Sequence, residues 1–294
     1  MLHGASRSLE QLLYFQSIVK VRMIRLASCA RPIKPWPIIA TLRVFFLPIV
    51  YCTEQEEVIQ LPTILSSARL LISGYVIHEP DVSLTDYGLA AESIILARLL
   101  YRARATSYAL KNSFIWFYSS AAVAAAFGGT FHGFLQDEPT GILWRAVLVT
   151  TGFTAFAAWR IGALLSFSSG TVTRISRIAI VELAVYSFIV LLFRQDFLVA
   201  IVNYLPAVVF LTFSLVLHLA RSGNSSTLTG LTGLALTFVA AGVQNFRISL
   251  HPRYFNHNAL YHLLQGVALL LIFAFAYRVV QQHHSSEVKH GDQT

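Results

Sequence analysis

Charge is what this chain has least of. Of 294 residues only 12% are Asp, Glu, Lys or Arg, while 55% are hydrophobic, and the mean hydropathy is +0.62. A soluble domain carries about twice that share of charge, and too few polar groups remain here to cover a water-facing surface. An ordinary soluble enzyme, a disordered chain and a fibrous repeat are excluded on this ground. Cysteine is nearly absent: Cys29 and Cys52 are the only two, and none follows. A disulfide framework or a cysteine zinc site is thereby excluded from the main body. No phosphate loop, dinucleotide fingerprint, zincin helix or serine-hydrolase elbow is present.

What is there is apolar sequence in blocks. A helix needs about 20 mostly apolar residues to cross the hydrocarbon. Seven blocks are predicted: Ser83 to Tyr101, Ser113 to Leu135, Ile142 to Leu165, Ile178 to Phe193, Phe197 to Ala220, Leu228 to Leu250 and Asn258 to Val280. The first is weakened by Asp86 and Glu92; the fourth is short and holds Glu182. Continuous rather than alternating hydrophobicity argues against a β-barrel. The expectation is an all-α polytopic membrane protein, a seven-helix bundle over residues 83–280 in contact with membrane lipid. Residues 281–294 form a polar tail.

The net charge is 22 − 14 = +8. In a membrane protein such an excess marks cytoplasmic loops rather than nucleic-acid binding. Arg98, Arg102, Arg104, Lys111, Arg160, Arg174, Arg177, Arg221, Arg278 and Lys289 fall on one side; Arg145, Arg194, Arg247 and Arg253 fall on the other. The richer side is read as cytoplasmic, and the tail with His283, His284 and His290 lies there too. Residues 1–82 differ in character, with six prolines and one apolar stretch from Trp36 to Cys52 that contains Arg43 and Pro48. They read as an extension outside the core, whose apolar piece is an eighth span, a signal-like segment or an amphipathic segment.

Polar residues at membrane depth carry the functional signal, because they are costly in hydrocarbon and face an interior or a cavity. Asp86 opens the first block and His132 ends the second. Gln244 and Asn245 close the sixth; His257, Asn258 and His262 open the seventh. Successive spans run in opposite directions, so all of these reach one depth on the non-cytoplasmic side. Asn258, His262 and Gln265 share a helix face by their spacing. Three readings follow. His132, His262 and either His257 or Asp86 would suit a catalytic zinc with an open position for water. The same groups would equally make a buried polar network that fixes helix packing. They would also serve as separate interface residues, with Asn256 or Asn258 capping the last helix and Tyr254, Tyr261 and Trp144 in an aromatic belt. Gly129 and Gly133 suit close helix contact.

The Gly129 to Phe134 segment, Thr85-Asp86 and the Phe255 to His262 segment together resemble the alkaline ceramidase and adiponectin-receptor superfamily of seven-span hydrolases, over about residues 83 to 280. The resemblance implies zinc held by three histidines and hydrolysis of lipid amides or esters. His132 and His262 fall on two of the histidine positions. The third falls on Asn258, with His257 one residue away, and the serine position is Gly128. The third-helix aspartate has no counterpart in Leu143-Trp144-Arg145. On this reading His132, His257 and His262 hold the metal and Asp86 orients water. Gln244, Asn245, Asn258 and Gln265 then support them. The alternative is a non-enzymatic seven-helix protein whose polar cluster is structural or binds a small ligand.

Overall fold

The computed structural model describes residues 70–72, 75–135, 141–251 and 253–281. Trp36 to Cys52, both cysteines and the histidine-bearing tail lie outside them.

A short antiparallel hairpin comes first: β1 (Leu70–Ile72) pairs with β2 (Tyr75–Ile77), Leu71 opposite Val76. Seven long helices follow: α1 (Pro80–Arg102), α2 (Tyr108–Phe134), α3 (Ile142–Ser166), α4 (Ser169–Leu192), α5 (Phe197–Ser222), α6 (Ser226–Asn245) and α7 (His257–Gln281). The described residues are therefore helical apart from the hairpin and an isolated bridge between His251 and Phe255. Six of the helices, α2 to α7, are long and apolar enough to cross a membrane; α1 does not meet that measure.

Local chemistry sets the ends. Pro80 occupies the first turn of α1, where its missing N–H costs nothing, and Asp81 complements the helix dipole there. Ser107 caps α2 by accepting from the Leu110 N–H at 3.3 Å. Gly223 ends α5 at φ 62°, a left-handed conformation that suits glycine. Asn256 caps α7: its Oδ1 accepts from the N–H groups of Asn258 at 2.9 Å and Ala259 at 3.1 Å.

Several ends differ from the sequence expectation, and α2 starts at Tyr108, five residues before its block. α4 starts at Ser169, nine residues before the apolar block, because its first turns are polar yet still helical. α6 stops at Asn245 rather than Leu250, and Arg247 follows with φ 54°. α1 begins at Pro80, three residues before its block, which puts Thr85 and Asp86 in its second turn.

The helices close into a ring in the order α1, α2, α3, α5, α6, α7, with α7 returning to α1; α4 stands outside, packed mainly on α3. The interior is lined by Phe114, Tyr118, Leu211, Leu215, Ile272 and Phe275. Lipid is as apolar as leucine, so such helices associate through close packing of small residues rather than by water exclusion. The approach of α6 to α7 shows this: a Cβ on Gly233 would lie 2.8 Å from the Ala268 carbonyl oxygen. The outer face is apolar at Ile178, Val181, Val185, Phe188 and Leu192, as a lipid-facing surface requires.

Candidate functional site

Three helices meet at the end of the bundle where α1 begins. Glycine makes the meeting possible. A Cβ on Gly128 would stand 3.0 Å from Asp86 Oδ2, and one on Gly129 would stand 3.1 Å from the Ser83 carbonyl oxygen. With hydrogen there instead, α1 lies against α2, and the Ser83 hydroxyl donates to the Gly129 carbonyl at 2.8 Å. The Tyr87 hydroxyl and Thr130 Oγ1 add a contact of 2.8 Å. The hairpin joins the same seam through the His78 N–H, which donates to the Gly133 carbonyl at 3.1 Å.

α7 closes on α1 from the other side. His262 Nε2 is 3.3 Å from Asp86 Oδ1, with side chains only 12% and 6% exposed. His262 Nδ1 is 3.3 Å from Thr85 Oγ1. The threonine hydroxyl has one proton, and the carbonyls of Asp81 at 2.9 Å and Val82 at 3.0 Å are its nearer acceptors. Thr85 Oγ1 is therefore placed to accept from Nδ1–H, and Nε2 faces the Asp86 carboxyl group. One turn earlier, Asp81 Oδ2 accepts from the Asn256 N–H at 2.9 Å, tying the two helix starts together.

His132 stays within electrostatic reach of Asp86 and His262 but has a different direct partner. Its Nδ1 is 2.7 Å from Glu79 Oε2, a short charge-assisted contact. Phe131 and Trp144 pack on its ring edge-to-face. His257 is the first residue of α7, half-buried and within electrostatic reach of Arg247 and Glu79. Asn258 accepts from Gln244 Nε2 at 2.6 Å, linking α7 to α6. Asn245 is exposed at the end of α6. Gln265 is 9% exposed, and its Oε1 has no hydrogen-bond partner among the described residues.

The expected residues thus gather at one end of the bundle, but as separate pairs: Asp86 with His262, His132 with Glu79, Asn258 with Gln244. Among the described residues no three His, Cys, Asp or Glu side chains are placed to hold one metal ion. Both nitrogens of His262 and one of His132 are already engaged, so the donors as arranged do not fit a zinc shared by three histidines. Glu79, Asp81 and Ser83 belong to the site without having been expected. Glu79-Pro80-Asp81 is a helix-start signature, Pro at the first position with acid beside it. That signature would have moved the start of α1 and brought all three to the level of Asp86.

No curated protein and no solved structure gives a significant match to the chain. A family model does match residues 82–281, from the start of α1 to the end of α7, and so takes in every helix of the bundle and all of the cluster except Glu79 and Asp81. The chain belongs to that family, which is described as a family of unknown function, DUF6962.

Proposed function

We propose that this is a seven-span integral membrane protein whose polar cluster is a clamp, binding α1 to α2 and α7, and α7 to α6, and not a hydrolytic metal centre. The observation carrying this reading is that several positions the ceramidase-like pattern would use for catalysis are taken up in side-chain contacts. Gly128 is covered by the Asp86 carboxylate, Asn258 holds Gln244, and His262 has a partner on both nitrogens. Polar contacts between helices of this kind fix helix register.

α1 is the seventh span in this reading. Its 23 residues extend about 34 Å at about 1.5 Å per residue, enough to cross the hydrocarbon. Asp86 is buried against its neighbours and Arg98 and Arg102 lie at the far end, so its charges do not bar it. The basic bias puts the C-terminal tail in the cytoplasm. Accessibility of a cysteine introduced at position 289 to an impermeant reagent tests the orientation: labelling of intact cells would reverse it.

The decisive experiment pairs metal analysis with thermal unfolding of the purified full chain. A clamp predicts that His262→Ala lowers the melting temperature by several degrees with no change in bound metal. It also predicts that His262→Gln, which keeps a hydrogen-bonding side chain, recovers part of the loss. Near-stoichiometric zinc that disappears in His262→Ala would overturn it.

A second reading rests on the Asp86–His262–Thr85 chain itself, since a carboxyl group against a buried imidazole is one arrangement that serves general acid–base catalysis. It makes the protein a hydrolase of lipid amides or esters. Turnover of a ceramide or a phospholipid ester that Asp86→Asn abolishes, while the fold stays intact, would favour it over the clamp.

A further inference from the structure

Below the clamp, half-way along α1, Glu92 turns toward α7. A Cβ on Gly266 would lie 2.8 Å from Glu92 Oε2, so the absence of a side chain at Gly266 is what admits the carboxyl group. The other oxygen, Oε1, is buried and has no hydrogen-bond partner among the described residues. The ion pairs among the described residues are His132–Glu79, Arg194–Asp196 and His262–Asp86, and none includes Glu92. Next to Gly266, Gln265 is buried with its own Oε1 equally unpartnered. Tyrosines complete the surroundings. Tyr118 is in electrostatic reach of Glu92 and Tyr204, and its hydroxyl donates to the Leu269 carbonyl at 3.1 Å. Tyr261 is in reach of Tyr204 and of Asp86.

An ionised carboxylate at this depth without a cationic partner is strongly disfavoured, whereas the neutral acid is tolerated. Glu92 Oε1 and Gln265 Oε1 are orphaned acceptors on facing helices, each calling for a donor that internal water can supply. We propose that Glu92 is a proton-binding site at mid-depth, held as a neutral carboxylic acid and hydrated by internal water shared with Gln265. The exchange is simple: the acid gives its proton to water and recovers it, with no other reactant. The tyrosine hydroxyls carry the polar layer up toward Asp86. Glu182 is not part of it, since it lies on the outer helix α4, beside Trp159 of α3 and Asn203 of α5.

Infrared spectroscopy of the full chain in lipid nanodiscs tests this directly. The carbonyl stretch of a protonated carboxylic acid is expected in the native protein, shifted on transfer to D2O, lost in Glu92→Gln and retained in Asp86→Asn. Gly266→Ala, which displaces the carboxyl group while keeping the acid, is expected to move the band, and serves if Glu92→Gln does not fold. Equal band intensity in the native protein and Glu92→Gln would mean that Glu92 is ionised, and would overturn the proposal. A band that D2O leaves unmoved would overturn it as well, because the site would then be sealed from water.

Discussion

α1 and α4 are opposites. α4 is among the most apolar helices, with a hydropathy of 2.1 over its best window, yet only 17% of that window is buried in the protein. It touches the ring mainly through α3, where Tyr186 donates to the Leu148 carbonyl at 2.9 Å. α1 fails the composition measure for a span, yet it packs on both α2 and α7 and carries Asp86, Thr85 and Glu92. In lipid the ranking familiar from soluble proteins is inverted. A strongly hydrophobic helix can face the solvent, which is hydrocarbon, while polar residues are turned inward to find partners. Hydropathy alone does not set position here: α5 and α7 are as apolar as α4 yet sit in the ring, and α1, with the poorest membrane signal, sits there beside them.

The contrast can be broken most forcefully at the α1–α2 seam. Gly129→Val would drive a branched side chain into the Ser83 carbonyl and the Asp86 Cβ. It should cost about 3 kcal/mol or more, as overpacking does, and abolish a monodisperse elution profile. A bulky change on α4, such as Val181→Phe, should leave that profile unaltered, because Val181 is 62% exposed.

Removing one member of the clamp comes next. Asp86→Ala strands His262, and His262→Ala strands Asp86, each at a cost of about 3 kcal/mol in thermal or denaturant unfolding. The double variant should cost clearly less than the sum, since neither group is left without its partner. Strict additivity would show that the pair contributes nothing as a pair.

Smaller effects sharpen the comparison. Asn258→Ala removes the acceptor for Gln244 and should cost about 1 kcal/mol by the same assay. Tyr186→Phe deletes the hydroxyl that holds α4 to α3 and should also cost about 1 kcal/mol. Its loss should be seen first as faster labelling of a cysteine placed at Ala179 on the α4 face toward α3, with cysteines in α1 unaffected. If Tyr186→Phe proved as damaging as Asp86→Ala, α4 would have to be counted as part of the core.

Much of this arrangement could be read in advance. Asn256 caps α7, Gly129 and Gly133 lie in the α1–α2 contact, and Asp86, His132, His262 and Asn258 reach one end of the bundle, as antiparallel spans require. Pairing could not be read. His132 was expected beside His262, but Glu79, just ahead of α1, takes its Nδ1. Whether a buried imidazole meets a carboxylate, an amide or another imidazole depends on helix rotation and tilt, which differ by tens of degrees among packings with the same hydropathy pattern.

Composition and periodicity by themselves determined that this chain is a bundle of membrane-length helices, because hydrocarbon forces every backbone group to be satisfied within its own helix. They determined too which ends carry polar groups, because direction alternates from span to span. The tertiary structure alone decided that α4 stands outside the ring, that Gly128 and Gly266 admit carboxyl groups, and which donor faces which acceptor. Those outcomes rest on ångström-scale contact between surfaces far apart in the chain, and no local pattern encodes them.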